Sequence, residues 1–319
     1  MNKLIAIVAG EPNSINSEII AKAWKLCKRK RKIFVIGNYL LLHRQINKIG
    51  IKIPLQKVNK IEEIKNMNKL CVLDVPLKFK SIFSINSSEV KNYIYKSLDL
   101  AHNLALNKKI KAFINAPVDK KIFNKKYLGV TEYLASKNNT KDKEVMMIYN
   151  EKLSVVPLTT HVEVKDIIKK IKKKLIMEKI LTLNKFYLKL FKQRPQITVL
   201  GLNPHNSENR SNSVEYKTIK PTVVYLKKLN LKIDGPFPAD TIFSKKKKFK
   251  NNVIVGMYHD QVLAPFKALY GYSAINITLG LKYLRVSPDH GTARDIVGLN
   301  KANPQSLIYA INFLNKINV

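Results

Sequence analysis

The sequence contains few cysteines and no long apolar run. Its two cysteines, Cys27 and Cys71, are too few for a disulfide framework and lack the spacing of a metal site. They indicate buried thiols in a reducing cytoplasm. No stretch approaches the ~18 apolar residues of a membrane-spanning helix, and the apolar block at residues 4–9 is too short for a signal peptide. We therefore predict a cytoplasmic protein without a membrane segment.

Acidic residues are also scarce, since 22 Asp and Glu stand against 58 Lys and Arg, for a formal net charge of +36. Such an excess is the usual electrostatic footprint of a nucleic-acid-binding protein. Here the lysines are spread along the whole chain. The dense runs, residues 28–32 and 245–248, have no interleaved aromatic side chains on which bases could stack. We favour a solvated lysine-rich surface and keep a polyanion-binding protein as the alternative from a different functional class.

The sequence further lacks a Gly-x-Gly-x-x-Gly fingerprint, an internal repeat and a Gly/Ser linker. Any nicotinamide cofactor is therefore not held by the usual Rossmann turn. The 319 residues instead alternate between apolar strand-like runs and amphipathic helix-like runs, which predicts an α/β fold with a mostly parallel sheet. The predicted strands lie at 4–9, 33–37, 70–75, 112–115, 145–149, 153–158, 196–200 and 253–257, and the predicted helices at 19–26, 88–106, 164–191 and 304–317.

Three histidines, His161, His205 and His259, each follow one of these strands. Parallel strands deliver their carboxyl ends to one edge of a sheet, where α/β proteins place their chemistry. Neutral imidazoles are preferred ligands of borderline divalent ions, and three protein ligands leave positions open for a substrate. The pattern favours a metal site over three unrelated loop histidines. Asp240 and Asp260 are candidates to orient these ligands or to take up a proton, with turn formation and helix capping as the alternative.

Two cations and an amide follow in the same part of the chain, namely Lys267, Arg285 and Asn276. If they converge, these side chains suit a phosphate and a carboxylate, which would indicate a small anionic substrate. The alternative is the solvated surface that most basic residues of this chain occupy.

The motifs around these residues resemble the 4-hydroxythreonine-4-phosphate dehydrogenase family of vitamin B6 synthesis. They occur in order along nearly the whole chain and comprise Thr159-Thr160-His161, Gly201-Leu202-Asn203-Pro204-His205, Gly235-Pro236-Phe237-Pro238-Ala239-Asp240-Thr241, Tyr258-His259-Asp260-Gln261, Asn276-Ile277-Thr278-Leu279-Gly280 and Asp289-His290-Gly291-Thr292-Ala293. Several such motifs together are far more specific than any one of them.

The resemblance implies two α/β/α domains of the isocitrate/isopropylmalate dehydrogenase type, with a cleft between them. Residues 1–125 plus 283–319 would form a large discontinuous domain, and residues 126–282 a central dimerisation and metal-binding domain. The active site would lie at the subunit interface of a homodimer, with His161 and His205 from one subunit and His259 from the other.

The resemblance also implies a reaction and a set of site residues. One divalent ion (Zn, Mg or Co) and NAD or NADP would support oxidation of 4-phosphooxy-L-threonine at C3, followed by decarboxylation to 3-amino-2-oxopropyl phosphate. The implied roles are catalytic for Asp240, Asp260 and Lys267, substrate-binding for Thr131, Lys267, Asn276 and Arg285, cofactor-binding for Asn203, Asp289 and Thr292, and metal-binding for His161, His205 and His259.

The sequence departs from the family pattern at three places. Val130 replaces the histidine that normally precedes the family's threonine, and the first glycine-rich loop reads Glu11-Pro12-Asn13-Ser14-Ile15-Asn16-Ser17. The small residues that normally follow Asn-Pro-His become Asn206-Ser207-Glu208-Asn209-Arg210. These changes bear on affinity for substrate or cofactor. The alternative substrates are threonate or erythronate 4-phosphate, and a pseudoenzyme that binds metal without turnover is a further alternative.

Overall fold

The structure is a computed structural model that describes residues 4–27, 32–65, 68–123, 127–140, 143–244 and 252–317. Most of the basic run 28–32 and all of the run 245–248 lie outside the described residues. The chain divides into two compact units. Unit 1 comprises Met1–Leu134 with Lys282–Asn318, and unit 2 comprises Ala135–Leu281. Within the described residues, no helix combines the length and the hydrophobicity that crossing a bilayer requires.

Strands and helices alternate along most of the chain. The strands are β1 Ile5–Val8, β2 Ile33–Gly37, β3 Leu55–Val58, β4 Leu70–Asp74, β5 Ala112–Asn115, β6 Val145–Tyr149, β7 Ser154–Thr159, β8 Gln196–Leu200, β9 Ile233–Phe237, β10 Asn252–Tyr258, β11 Ile275–Leu279 and β12 Leu284–Pro288. The α-helices are α1 Asn16–Leu26, α2 Tyr39–Lys48, α3 Ser87–Leu106, α4 Val130–Lys137, α5 Val164–Lys170, α6 Lys173–Phe191, α7 Lys220–Lys228, α8 Ala239–Ile242, α9 His259–Tyr270 and α10 Gln305–Lys316.

Unit 1 contains strands in the order β3-β4-β2-β1-β5-β12, all paired in parallel. Every residue of β1 is buried, and so is every residue of β2 and β5. Strands buried on both faces read as continuous apolar runs, which is why Ile5–Val8 shows no alternation. The carboxyl ends of β1, β5 and β12 therefore meet at one edge of unit 1.

Unit 2 contains strands in the order β11-β6-β7-β10-β8-β9. The pairs β11/β6 and β6/β7 are antiparallel, and β7/β10, β10/β8 and β8/β9 are parallel. Helix α9 packs Val262 and Phe266 against buried residues of β7, β8 and β10. This packing fixes the helix that begins at His259. The mostly parallel α/β architecture predicted from the alternation is confirmed in both units.

The predicted helix over 164–191 is wrong in one respect, because the chain forms two helices there. Ile171 (ψ 91°) and Lys172 (ψ 152°) are extended and separate α5 from α6. Ile171 is 2% exposed. The break between the two helices thus accompanies burial of the apolar Ile171 side chain. On the solvated face of a continuous helix, this side chain would stay exposed.

The sequence Pro236-Phe237-Pro238-Ala239-Asp240-Thr241 predicts a rigid loop that carries an acid, and this prediction is also wrong. Pro236 and Phe237 belong to β9, and Asp240 lies in the first turn of α8. β9 is the last strand in the order of unit 2. Proline is tolerated on such an edge strand because the N–H that proline lacks is not needed for a hydrogen bond to a further strand. The segment between the second and third predicted strands contains α2 and β3, neither of which the pattern predicted.

Candidate active site

The three strand-end histidines all belong to unit 2 and follow adjacent parallel strands. His161 lies two residues beyond β7, His259 begins α9 directly after β10, and His205 lies five residues beyond β8. Since β10 pairs with both β7 and β8 in parallel, the three strands end at the same edge. The ring centroids of His161 and His259 are 6.1 Å apart.

Asp260 holds the ring of His259. Its Oδ1 lies 2.6 Å from Nδ1 of His259, in a pair whose side chains are 81% and 35% exposed, respectively. A carboxylate at Nδ1 fixes the tautomer and leaves Nε2 as the nitrogen that can bind a metal. Asp240, the other predicted acid, is exposed in the first turn of α8.

His205 lies on an exposed turn beyond β8. Within the described part of the chain, no three His, Cys, Asp or Glu side chains form a group that could hold a metal ion. A single chain therefore brings together His161 and His259, which the resemblance assigns to different subunits, but does not add His205 to them in one cluster. The donor set still fits a borderline divalent ion, because two adjacent imidazoles lie on one strand edge with one of them already oriented.

Arg285 is the most buried cation of the predicted site, with 3% exposure on β12 of unit 1. Its Nε donates to Oδ1 of Asn115 at 2.5 Å, and its Nη1 donates to the hydroxyl of Thr131 at 3.2 Å. Burial lowers the pKa of Arg285 to about 10 against the opposing charge of Glu132, so the guanidinium stays protonated at neutral pH. The sequence predicts a helix capped by Thr131, and this is wrong, because Thr131 is the second residue of α4 and its hydroxyl accepts from Arg285.

Lys267 and Asn276, both predicted to bind substrate, belong to unit 2. Nζ of Lys267 on α9 lies 4.9 Å from the ring centroid of Tyr272. Asn276 lies on β11, and its Oδ1 is buried without a hydrogen-bond partner. A buried amide oxygen without a partner carries a desolvation penalty that a ligand donor would relieve.

The three residues predicted to bind a cofactor are each held by backbone or side-chain bonds. Asn203 donates through its backbone N–H (2.8 Å) and Nδ2 (3.1 Å) to Oε1 of Glu215. The N–H of Asp289 donates to Oγ of Ser306 at 2.9 Å. The carbonyl of Thr292 accepts from the N–H of Ile15 at 3.3 Å, which fixes this loop against the one that follows β1.

A cavity of about 550 Å³ lies in unit 1, where the loops after β1 and β5 meet the first turn of α3. It is lined by Glu11, Asn13, Ile85, Ser87, Ser88, Val90, Lys91, Asp119, Lys121, Ile122 and Arg294. Arg294 donates to Asp119 at 2.9 Å. Glu11 is 2% exposed, and its Oε2 has no hydrogen-bond partner. Burial raises the pKa of the Glu11 carboxyl, although the charge of Arg294 opposes that shift.

The sequence reasoning did not identify Glu11, Asn115, Glu215 or Gln261 as residues that shape the site. Gln261 is part of a quoted motif, and its role shows only in three dimensions. It accepts from the N–H of Met257 at 2.7 Å and donates to the carbonyl of Gly201 at 2.6 Å, which ties the ends of β10 and β8 together. No local pattern marks Asn115 or Glu215, because their partners lie far away or in an irregular loop.

Polar groups at the carboxyl ends of parallel strands, above a buried apolar sheet, are typical of α/β enzymes. A family model described as pyridoxal phosphate biosynthetic protein PdxA matches residues 29–314. The chain belongs to this family, which confirms the resemblance found in its motifs.

Individual relatives span the full length of the chain. A 4-hydroxythreonine-4-phosphate dehydrogenase of Aquifex aeolicus is 38% identical over 325 residues, or 99% of each protein. A D-threonate 4-phosphate dehydrogenase of Pectobacterium atrosepticum is 29% identical over 320 residues, or 98% of each. The crystal structure of a 4-hydroxythreonine-4-phosphate dehydrogenase from Klebsiella pneumoniae superposes with a TM-score of 0.86 at 30% identity, covering 99% of each chain. The predicted α/β fold class is thereby confirmed.

The buried Glu11 predicts an unusual dependence of stability on pH. Its folded pKa lies above the ordinary value of about 4.3, so the wild type loses stability as the pH rises through that range, whereas Glu11→Gln does not. We expect the stability of the variant relative to the wild type to increase from about pH 4.5 to about pH 7.5, by about 1.4 kcal/mol for each unit of the pKa increase.

Urea unfolding at the two pH values measures this difference. Glu208→Gln, which neutralises an exposed carboxylate, is the control and should track the wild type. A constant difference between Glu11→Gln and the wild type would show that Glu11 titrates normally.

Proposed function

We propose that this protein oxidises 4-phosphooxy-L-threonine at C3 with NAD⁺ or NADP⁺ and releases 3-amino-2-oxopropyl phosphate and CO₂, in the synthesis of pyridoxal 5′-phosphate. The C3 hydroxyl gives up its proton, C3 gives up a hydride, and the resulting β-keto acid loses its carboxylate. The observation that carries the proposal is the pair of adjacent imidazoles of His161 and His259 at the strand edge, in a chain similar over its full length to enzymes named for this activity.

His161, His205 and His259 are the proposed ligands of one divalent ion, Zn²⁺, Mg²⁺ or Co²⁺. We propose that the protein is a homodimer with its active site at the subunit interface, because one chain does not gather all three imidazoles. When bound, the ion would polarise the C3 hydroxyl and lower its pKa, and the nicotinamide would accept the hydride. The role of Asp260 is to keep Nε2 of His259 directed at the ion.

The substrate carries a phosphate, a carboxylate and an amine. A planar, desolvated guanidinium suits an oxyanion, and Arg285 is pre-oriented for one by Asn115 and Thr131. Asn276 offers a buried oxygen without a partner to a donor of the substrate, such as its amine. Lys267 supplies a second cation and, with Asp240 and Asp260, is a candidate to receive the proton of the C3 hydroxyl.

Asn203, Asp289 and Thr292 are the proposed contacts of the cofactor. Each belongs to a loop that follows a strand, and each loop is fixed by the hydrogen bonds described above. The cavity of unit 1 supports the placement of Thr292, because Arg294 at the cavity wall is two residues from it.

Turnover tests the proposal directly. With 4-phosphooxy-L-threonine and NAD⁺ or NADP⁺, we expect reduced nicotinamide to accumulate, to stop with a chelator and to resume with divalent metal. Loss of a ligand in His205→Ala should lower kcat/KM by more than the roughly 10–100-fold that loss of a ligand-orienting partner costs. His43→Ala, on α2 of unit 1, is the control that keeps full activity.

Other outcomes of the same assay distinguish the alternatives. Turnover of threonate or erythronate 4-phosphate in place of 4-phosphooxy-L-threonine would indicate that the protein has the activity of relatives such as the D-threonate 4-phosphate dehydrogenase. Metal binding without turnover of any of these substrates would indicate a pseudoenzyme. DNA affinity that falls steeply with salt and survives His205→Ala would support the polyanion-binding alternative.

Arg285→Lys tests the substrate site separately from the metal. Lysine keeps the charge but loses the fork of donors that binds Asn115, Thr131 and an oxyanion together. We expect KM for the phosphorylated substrate to rise by roughly 10–100-fold, the equivalent of about 1.5–3 kcal/mol for a charged hydrogen bond, with KM for the cofactor unchanged.

Arg194→Lys, at an exposed arginine, is the matched control for Arg285→Lys. Thermal unfolding of both variants verifies that they fold. An unchanged substrate KM in a folded Arg285→Lys variant would remove Arg285 from the substrate site.

A further inference from the structure

The loop that carries His205 has an unusual backbone. Five consecutive residues, none of them glycine, have left-handed φ angles, and they are His205 (48°), Asn206 (54°), Ser207 (50°), Glu208 (51°) and Asn209 (58°). L-amino acids disfavour this conformation because Cβ approaches the following carbonyl oxygen. A run of this kind persists only where the surrounding structure holds it.

Glu215 is the group that holds it. This carboxylate is 1% exposed and accepts hydrogen bonds from two residues that precede the left-handed run and from one residue in the middle of it. Oε1 accepts from the N–H groups of Leu202 (2.9 Å) and Asn203 (2.8 Å). Oε2 accepts from Oγ of Ser207 at 3.0 Å, and Nδ2 of Asn203 reaches both oxygens.

Burial by itself raises the pKa of Glu215, but the bonds from Asn203 and Ser207 outweigh burial and leave the pKa below its ordinary value. The carboxylate is therefore charged at neutral pH. Hydrogen bonds to a charged acceptor are shorter and stronger than neutral ones, so one side chain can fix the strained turn.

Two further contacts set the position of the loop within unit 2. Nδ2 of Asn206 donates to the carbonyl of Pro236 at 2.9 Å. Gln261, two residues after His259, donates to the carbonyl of Gly201 at the start of the loop. The loop that Glu215 shapes is thus tied to the helix that begins at His259.

We propose that Glu215 is the positioning residue of this site, which sets the placement of Asn203 and His205 without touching the reacting atoms. The inference rests on the proposed function, in which Asn203 contacts the cofactor and His205 binds the metal. Glu215 acts through its hydrogen bonds to Leu202, Asn203 and Ser207.

The test compares Glu215→Gln and Ser207→Ala with the wild type. Glu215→Gln keeps the shape of the side chain but replaces one acceptor by a donor, and Ser207→Ala removes one bond while the carboxylate stays charged. Glu151→Gln, at an exposed carboxylate in the turn between β6 and β7, is the control. The readouts are amide hydrogen exchange at Leu202 and Asn203, and affinity for Co²⁺ from its visible absorbance, both without substrate.

We expect exchange at Leu202 and Asn203 to become at least about tenfold faster in Glu215→Gln, and Co²⁺ affinity to fall by roughly 10–100-fold, the usual effect of losing a group that orients metal ligands. Ser207→Ala should shift both readouts in the same direction by less. The protection of the backbone amides of β8 and β10 from hydrogen exchange should stay unchanged, which would show that the fold is intact. Glu151→Gln should match the wild type in both readouts.

Several results would overturn the proposal. Unchanged exchange at the two amides would remove Glu215 as the constraint on the loop. Faster exchange with unchanged Co²⁺ affinity would reduce Glu215 to a structural role, and so would global unfolding of Glu215→Gln together with wild-type behaviour of Ser207→Ala. A wild type that binds Co²⁺ but does not oxidise the substrate would overturn the proposed function alone, whereas a wild type that binds no Co²⁺ would overturn both.

Discussion

The site depends on the parallel alignment of β7, β10 and β8. Strands that run in parallel end at one edge, so residues far apart in sequence, such as His161 and His259, come within 6.1 Å without any local signal linking them. The packing of Val262 and Phe266 against the buried strands fixes α9, the helix that begins at His259. Gln261 then joins the ends of β10 and β8. Sheet pairing and helix packing thus set the geometry of the sheet edge where the polar side chains lie.

Two buried carboxylates, Glu215 and Glu11, have pKa shifts in opposite directions. In unit 2, Glu215 is buried with its hydrogen-bonding capacity used, and its pKa falls below the ordinary value because donors outweigh burial. In unit 1, Glu11 is buried with one oxygen unpartnered, and its pKa rises because burial dominates. A satisfied buried carboxylate rigidifies the loop around it, whereas an unsatisfied one costs stability and is best explained by a ligand or a proton. Arg285 combines both features, since it is held by Asn115 and Thr131 yet remains a desolvated cation.

Much of the fold followed from apolar periodicity. The strands near 112–115, 145–149 and 196–200 and the helix of residues 88–106 lie within a residue of their predicted bounds, because buried parallel strands and long amphipathic helices carry strong patterns. The half-exposed β3 and the break at Ile171 carry no such pattern, since pairing and tertiary burial decide them. The strand ends indicated the histidines as candidates, and the polar residues that follow them along the chain indicated Arg285. The pattern could not identify Asn115 or Glu215, because their importance comes from partners that only the folded chain brings within reach.

The central claim is that the imidazoles of His161, His205 and His259 form one divalent-metal site, which is completed at the subunit interface of a homodimer. Titration of the full-length protein with Co²⁺, followed by visible absorbance, measures both stoichiometry and ligand set. The account predicts one ion per chain, with binding lost in each of the single variants His161→Ala, His205→Ala and His259→Ala. Loss of binding in the His161 and His259 variants alone, with His205→Ala binding as tightly as the wild type, would contradict it.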